Sequence, residues 1–164
     1  MSWFTNNRYN NIDKHRYVMW LYEDKVKEKI EDFPENTFGF IYKITNKETG
    51  KFYIGKKQLI SQTNVKLGKK ELAALPVQRG KKPTKKLVTK ESNWVDYWGS
   101  NKFLLDDIKK LGEDKFQREI VIICPNKKLL TYWELAIQCK YDVLQVDCYN
   151  DNLLGKFYRK DFVA

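Results

Sequence analysis

Cysteine, histidine and proline are scarce in this 164-residue chain, which has three cysteines, one histidine and four prolines. The cysteines stand at positions 124, 139 and 148 without CxxC spacing, and the single histidine is His15. A structural zinc site needs four clustered sulfur or imidazole ligands, so this distribution excludes one. An odd number of unclustered cysteines predicts reduced and mostly buried thiols, as is typical of a cytosolic protein.

Long apolar runs are missing too. No stretch approaches 18 consecutive apolar residues, so the sequence predicts no transmembrane helix. Residues 1–7 lack the apolar segment of a signal peptide. We therefore expect a cytoplasmic protein with no membrane partner. Hydrophobic residues make up 42% of the chain, which is enough for a folded core and excludes a disordered tail.

Acidic residues are almost absent from one stretch of the chain. Residues 56–90, which we call the basic segment, hold eleven basic residues and one acid, Glu71, whereas the rest of the chain holds 20 of each sign. The whole net charge of +10 therefore lies in this segment. Such a concentration of positive charge predicts a polyanionic partner, with nucleic acid as the leading candidate. Its glycines and prolines favour a long loop, which is usually functional in a compact domain.

Strand and helix patterns alternate along the chain. A partly apolar stripe at helical spacing predicts a helix over residues 13–31. Strand-forming residues on both sides of a turn at 46–50 predict a β-hairpin over residues 38–57. The later pattern predicts a helix capped by Ser100 or Asn101 and ended by Gly112, a strand over 116–123, and a helix from Asn126 to about Tyr141.

Two tyrosines are expected on one face of the hairpin. If the turn centres between residues 47 and 48, Tyr42 lies opposite Tyr53, and opposed residues share a face. Aromatic pairs of this kind commonly serve only to pack a sheet, but a phenol can also donate to a phosphate oxygen or pass on a proton. Lys56 and Lys57 follow at once and would lower the pKa values of the phenols by favouring the phenolate.

Glu134 is predicted at the edge of the inward face of the last helix, beside Trp133 and three residues before Ile137. A carboxylate there must be paired, metal-bound or within reach of water. One interpretation is an edge residue whose carboxylate reaches solvent. The other is a ligand for a hard divalent cation, since such cations prefer carboxylate oxygen.

Aromatic residues directly follow the basic segment. Trp94 and Tyr97 suit base stacking beside a cationic strip, and they suit anchoring in the core equally well. The candidate DNA-binding residues are therefore these two aromatics together with the lysines Lys56, Lys66, Lys69, Lys70, Lys81, Lys82, Lys85 and Lys86.

The hairpin motifs resemble those of a known family. Phe40-Ile-Tyr42 and, after ten residues, Tyr53-Ile-Gly55 are similar to the signature of the GIY-YIG endonucleases. Further blocks resemble the Seg-like endonucleases of tailed phages. These blocks are Lys90-Glu-Ser-Asn-Trp94, Tyr97-Trp-Gly-Ser-Asn101, Phe116-Gln-Arg-Glu-Ile120, Tyr132-Trp-Glu134 and Tyr149-Asn150.

This resemblance implies an α/β fold of the α+β type, with a three-stranded antiparallel sheet flanked by helices. The nuclease-like domain would span residues 37–152, after an N-terminal helical extension (1–36) and before a C-terminal tail (153–164). The family hydrolyses DNA phosphodiester bonds with one divalent metal, so Mg²⁺ or Mn²⁺ is implied and no small-molecule cofactor. A phage-encoded member would act in the host cytoplasm, and its oligomeric state stays open, with a homodimer among the options.

The resemblance also assigns roles to single residues. Glu134 corresponds to the metal-binding glutamate of the family. Tyr42 corresponds to the tyrosine that activates or orients the attacking water, and Tyr53 to the second phenol near the scissile phosphate. Asn150 corresponds to the asparagine that closes the site, and Gly55 lets the chain pass close to it.

The chain departs from the family pattern at three points. Phe40 replaces the first glycine of the signature. The family usually carries an arginine on a helix within about ten residues of the second motif, a region that here offers only Lys56 and Lys57. Either a lysine, with Lys57 as the candidate, or Arg79 from the basic segment would have to replace it. The active-site histidine frequent in the family is also missing, since His15 lies far upstream.

The sequence therefore predicts a metal-dependent DNA endonuclease of the phage homing or DNA-degrading type. The alternative is a catalytically weak or inactive DNA-binding or regulatory protein on the same scaffold. A third option is a protein-interaction factor that uses the aromatic N-terminal region.

Overall fold

The computed structural model describes residues 18–76 and 80–162 in two separate units. The first unit comprises residues 18–59 and 93–162, and the second comprises residues 60–92. The strands, in chain order, are β1 (Trp20–Tyr22), β2 (Lys25–Lys27), β3 (Gly39–Asn46), β4 (Phe52–Gln58), β5 (Ile60–Lys66), β6 (Lys85–Glu91), β7 (Phe116–Cys124), β8 (Asn152–Leu153) and β9 (Phe157–Tyr158). The helices are α1 (Lys69–Ala73), α2 (Lys102–Leu111) and α3 (Lys127–Lys140), with short 3₁₀ turns at Ile30–Asp32, Glu113–Lys115 and Arg159–Phe162.

The first unit contains a five-stranded sheet in the order β2-β1-β7-β3-β4. The predicted mixed α+β class is confirmed, but the predicted three-stranded antiparallel sheet is wrong. The predicted three strands are β3, β4 and β7, and β1 joins β7 in parallel. Strand β7 lies in the centre of the sheet. Its sequence, which ends in an apolar run, is apolar enough for both of its faces to be covered by other parts of the protein.

Val18 is helical, but the predicted helix over residues 13–31 is wrong from residue 20 onward. Residues 20–27 form a tight hairpin, in which Trp20 pairs with Lys27 across the turn residues Glu23 and Asp24. Both turn residues adopt positive φ, 49° and 62°, which suits a two-residue hairpin turn. Residues 13–17 lie outside the described residues. The pairing of β1 with β7 is non-local, and it overrides the helical spacing of the sequence.

The β3–β4 hairpin is confirmed, but its predicted register is two residues off. Tyr42 pairs with Gly55, and Tyr53 pairs with Ile44. The turn lies one residue later than predicted, over residues 47–51, and the Asn46 Oδ1 organises it by accepting backbone hydrogen bonds from the residues at positions 48 and 49, at 2.9 and 3.3 Å. A shift of two residues preserves the face, so both tyrosines still lie on the same side of the sheet.

The two faces of the sheet carry different cores. On one face, α3 packs through Leu130 and Ile137 against Ile41 and Ile54. On the other face, the alternate residues of β3 meet a cluster of buried aromatic rings comprising Trp20, Phe33, Phe40, Tyr42 and Trp94. Cys124 and Cys148 are buried and Cys139 is exposed, and all three are free, as expected for reduced thiols.

Side-chain caps begin both long helices where the sequence predicted them. The Asn101 side chain accepts a hydrogen bond from the Leu104 amide at 3.0 Å, and that of Asn126 accepts one from the Leu129 amide at 2.9 Å. Gly112, at φ 95°, ends α2. Among the described helices, none has the length and apolar composition needed to cross a membrane.

The second unit replaces the predicted loop with a long β-hairpin. Strands β5 and β6 pair antiparallel from Ile60 opposite Glu91 to Lys66 opposite Lys85, and α1 lies between them along the chain. Strand-forming residues such as Thr63, Val65 and Val88 favour this pairing over a loop. Nearly every residue of the two strands is exposed, so no apolar face of the hairpin is buried in this unit.

Candidate active site

Strand β4 is an edge of the sheet, and its third residue, Ile54, is held by side chains from two other segments. The Asn150 Oδ1 accepts from the Ile54 amide, and the Asn150 Nδ2 donates to the Ile54 carbonyl, both at 2.8 Å. The Gln138 Nε2 donates to the same carbonyl at 3.0 Å. Asn150 therefore closes the free edge of β4 as a partner strand would, and both polar atoms of its side-chain amide make hydrogen bonds.

Tyr42 is buried in a cluster of phenols. Its ring centroid lies 6.1 Å from that of Tyr53 and 6.0 Å from that of Tyr97, and a side-chain hydrogen bond links it to Tyr97. Gly55 makes room for it, because a Cβ at Gly55 would lie 2.5 Å from the Tyr42 hydroxyl oxygen. The glycine of the second motif is thus required by the tyrosine of the first.

The environment of this cluster opposes ionisation of the phenols. Burial is the main reason that the pKa of Tyr42 lies well above its usual range, and Tyr53, Tyr97 and Glu134 raise it further. Burial also raises the pKa of Tyr53, while a hydrogen bond with Ser100 acts in the opposite direction. The expectation that nearby lysines would lower these pKa values is wrong.

The two lysines of the second motif are engaged elsewhere. Lys56 Nζ lies 2.7 Å from Glu134 Oε2, and the two side chains are 35% and 17% exposed. Lys57 Nζ donates to the Asn93 Oδ1 at 2.8 Å and lies 3.9 Å from the centre of the Tyr97 ring. Burial lowers the pKa of Lys57. The cations are therefore held by a carboxylate and by an aromatic face, respectively, rather than by a phenol oxygen.

A cleft of about 370 Å³ opens at this edge of the sheet. Tyr53, Glu134 and Asn150 line it together with Ser100 and Gln138. Tyr42 is 1% exposed and lies behind Tyr53, so it does not line the cleft itself but packs against a residue that does. The structure thus brings together four of the residues predicted as catalytic, Tyr42, Tyr53, Glu134 and Asn150. Lys56, which was predicted as a DNA contact, pairs with Glu134.

The predicted DNA-binding residues divide between the two units, with Lys56, Trp94 and Tyr97 in the first unit and the other lysines in the second. The lysines of the second unit, Lys66, Lys69, Lys70, Lys81, Lys82, Lys85 and Lys86, are all exposed. Lys86 pairs with Glu71. Trp94 is fully buried, with its ring against Phe33 and its carbonyl bonded to Trp20, so its assignment as a DNA contact is wrong and it is a core anchor. Arg79, which was predicted as a possible replacement for the family's catalytic arginine, lies outside the described residues.

A family model described as "Putative endonuclease segE, GIY-YIG domain" matches residues 20–161. The chain belongs to the SegE family of GIY-YIG domains. The SegE match begins inside the segment predicted as an N-terminal extension and ends inside the predicted C-terminal tail. A search of curated proteins found no match, and neither did a search of solved structures.

In this SegE-family chain the arginine expected after the second motif has no described counterpart in the cleft. The residues that follow β4 form strand β5 rather than a helix. Arg118, on β7, is 2% exposed and donates to the carbonyls of Val95 and Tyr97 at 2.8 and 3.1 Å. It also donates to the Val18 carbonyl. Arg118 therefore orders the backbone that carries Tyr97 and does not line the cleft.

Three contributors to the site were missed or misplaced by sequence reasoning. Tyr97 was predicted to contact DNA, whereas its ring packs on Tyr42. Ser100 bonds to Tyr53, and Asn93 holds Lys57. The position of Tyr97 and Ser100 in one block that resembles the family was a signal for a shared site, but nothing in the sequence pairs Asn93 with Lys57.

Proposed function

We propose that this protein is a DNA endonuclease that hydrolyses phosphodiester bonds with the help of a bound Mg²⁺ or Mn²⁺ ion. The observation that carries the proposal is that Tyr53 and Glu134 line one cleft, with Lys56 paired to Glu134 and the Tyr42 ring against that of Tyr53. Membership of the SegE family of GIY-YIG domains supports it. Phenols, a carboxylate and an ammonium group are the side chains that a metal-assisted phosphodiesterase needs.

The donor set fits one hard cation that keeps most of its water. Glu134 faces the cleft and already holds a positive charge, the Lys56 ammonium. Within residues 18–76 and 80–162, no three His, Cys, Asp or Glu side chains are grouped closely enough to hold an ion. Mg²⁺ is commonly held by one or two carboxylates, with water and phosphate oxygens completing its shell. Such an ion would polarise the phosphate and stabilise the leaving oxygen.

The side chains of the chain itself would bind and orient the phosphate. Because its pKa is raised, Tyr53 keeps its proton near neutral pH and can donate a hydrogen bond to a phosphate oxygen. The Tyr42 ring packs against that ring, and Tyr97 packs in turn on Tyr42. Lys56, once Glu134 binds a cation instead, becomes available to a phosphate oxygen in the same cleft. These groups position the phosphate and counter its charge in the transition state.

The second unit supplies non-specific affinity in this proposal. Residues 60–92 hold nine basic and two acidic residues. Exposed lysines neutralise phosphates without reading sequence. We expect binding to weaken with salt by roughly 0.9 log unit in affinity per log unit of salt for each phosphate neutralised.

The proposal is tested by incubating the purified protein with supercoiled plasmid in Mg²⁺ and in EDTA. We expect nicked or linear DNA only with the metal ion. The rival function, a non-catalytic DNA-binding protein on this scaffold, predicts salt-sensitive binding in both buffers and intact plasmid throughout.

The Gly55→Ala variant should lose cleavage because its new methyl group displaces Tyr42. Besides the 2.5 Å approach to the hydroxyl oxygen, the Cβ would lie 3.0 Å from Tyr53 Cε1. Displacements of about 1 Å in an active site can cost roughly a hundredfold in rate. Plasmid nicking measures this loss. Gly68→Ala is the matched control, since its Cβ meets nothing closer than 3.6 Å; an unchanged rate for Gly55→Ala would contradict the packing argument.

The Lys56→Met variant should bind Mn²⁺ more tightly, because it removes the ammonium group that competes for Glu134. A partly exposed ion pair is worth up to about 1 kcal/mol, which corresponds to roughly fivefold in affinity. Electron paramagnetic resonance of free Mn²⁺ measures the change without DNA. Lys51→Met, which breaks the exposed Lys51–Asp147 pair, is the control. Equal Mn²⁺ affinity in wild type and Lys56→Met would show that the ion binds elsewhere.

A further inference from the structure

Two large apolar side chains are exposed in the cleft, although most of its wall is polar. Phe103 is 67% exposed and Leu154 is 45% exposed, and both line the same cleft as Tyr53 and Glu134. Exposed apolar groups are unremarkable when they are scattered singly over a surface. Two of them in one concave site, beside residues that suit phosphate chemistry, call for a ligand with an apolar face.

The backbone at Leu154 shows that stability does not explain this side chain. Leu154 adopts φ 55°, in the left-handed region, within the turn that joins β8 and β9. Glycine and asparagine adopt this conformation readily, whereas a leucine there is strained. A strained and exposed leucine gains little from folding. Strain of this kind is retained where a side chain serves a binding site.

Phe103 is held firmly by its position at the start of α2. The preceding Asn101 caps the helix through its Oδ1 and donates to the Tyr149 carbonyl through its Nδ2 at 2.8 Å. Lys102 lies between the cap and Phe103 and also lines the cleft. An aromatic face and a cationic group are therefore presented side by side, which is the combination that binds a base and its phosphate.

We propose that this cleft binds the base of an unpaired DNA nucleotide next to the scissile phosphate, with Phe103 as the stacking surface and Leu154 as a second apolar contact. The inference rests on the proposed function and names its substrate class. The cleft volume of about 370 Å³ lies within the range of pockets that enclose small-molecule-sized groups. A base inside a regular duplex cannot enter such a pocket, so DNA with a bulged or single-stranded nucleotide is favoured.

Fluorescence anisotropy tests this inference independently of cleavage. The protein carries Glu134→Gln and is measured in EDTA with two duplexes that differ only at one bulged nucleotide, which has a base or is abasic. We expect the base to improve affinity about tenfold, in line with base–aromatic stacking. Phe103→Ala should reduce this ratio to about one. Phe157→Ala, at a residue that is 53% exposed and outside the cleft lining, should leave it unchanged.

A Leu154→Asn variant separates binding from stability. Asparagine relieves the backbone strain, so we expect an unchanged or higher melting temperature together with a smaller base preference. An equal affinity for both duplexes in the wild type, or equal ratios for Phe103→Ala and Phe157→Ala, would overturn the inference. If plasmid is never cleaved but the base preference follows Phe103, the nuclease proposal alone fails. If plasmid is cleaved without any base preference, only the present inference fails.

Discussion

Replacing Arg118 with methionine is expected to destabilise the protein by about 2–4 kcal/mol. Arg118 is 2% exposed and donates to the carbonyls of Val95, Tyr97 and Val18. Its guanidinium carbon lies 4.7 Å from the centre of the Trp20 ring and 4.3 Å from that of Trp98. Methionine fills much of the volume but leaves the three carbonyls without these donors.

The loss of stability in Arg118→Met is limited by the cost of burying the charge, and variants at the same position separate charge from hydrogen bonding. Burial lowers the pKa of Arg118 to about 10, because removing the charged guanidinium from water costs free energy. Methionine has no charge to desolvate, so this cost disappears in the variant and limits the destabilisation. Urea unfolding of Arg118→Met, Arg118→Lys and the exposed control Lys109→Met measures it. Lysine keeps the charge but lacks the planar fork, so it should rescue little. Full stability in Arg118→Lys would mean that charge, and not the three-way hydrogen bonding, is what matters.

Local features of the fold could be predicted from the sequence. The caps Asn101 and Asn126 and the β3–β4 hairpin depend on residues within a few positions of one another, and all are confirmed. The register of that hairpin was missed by two residues, since the Asn46 side chain organises a turn that lies one residue later than predicted. The N-terminal strands were missed because β1 pairs with β7, almost a hundred residues away.

The candidate site shows the same difference between local features, which could be predicted, and contacts between distant segments, which could not. The motif spacing places Tyr42 and Tyr53 on one face, and the helical pattern places Glu134 at an edge that can reach the cleft. The partners of these residues come from distant segments, and composition does not reveal them. Lys56 pairs with Glu134 because tertiary packing brings α3 to β4, and Tyr97 contacts Tyr42 because packing brings the loop before α2 to β3.

Glu134→Gln should lower the rate of DNA cleavage by at least about a thousandfold, which corresponds to roughly 4 kcal/mol of transition-state stabilisation. Glutamine has nearly the same shape but no charge, so it cannot hold a divalent cation in place of the carboxylate. The Glu134 side chain is 17% exposed and makes an ion pair rather than a core contact, so folding should be retained. DNA affinity should also be retained, because the basic segment carries its own charge.

The most direct measurement of the central claim is therefore single-turnover cleavage of supercoiled plasmid by wild type and Glu134→Gln at equal DNA occupancy in Mg²⁺. Glu35→Gln, at an exposed position, is the matched control. The account predicts rapid nicking by wild type and Glu35→Gln, and virtually none by Glu134→Gln or by any of the three in EDTA. Equal cleavage by wild type and Glu134→Gln, or no cleavage by the wild type, would contradict it.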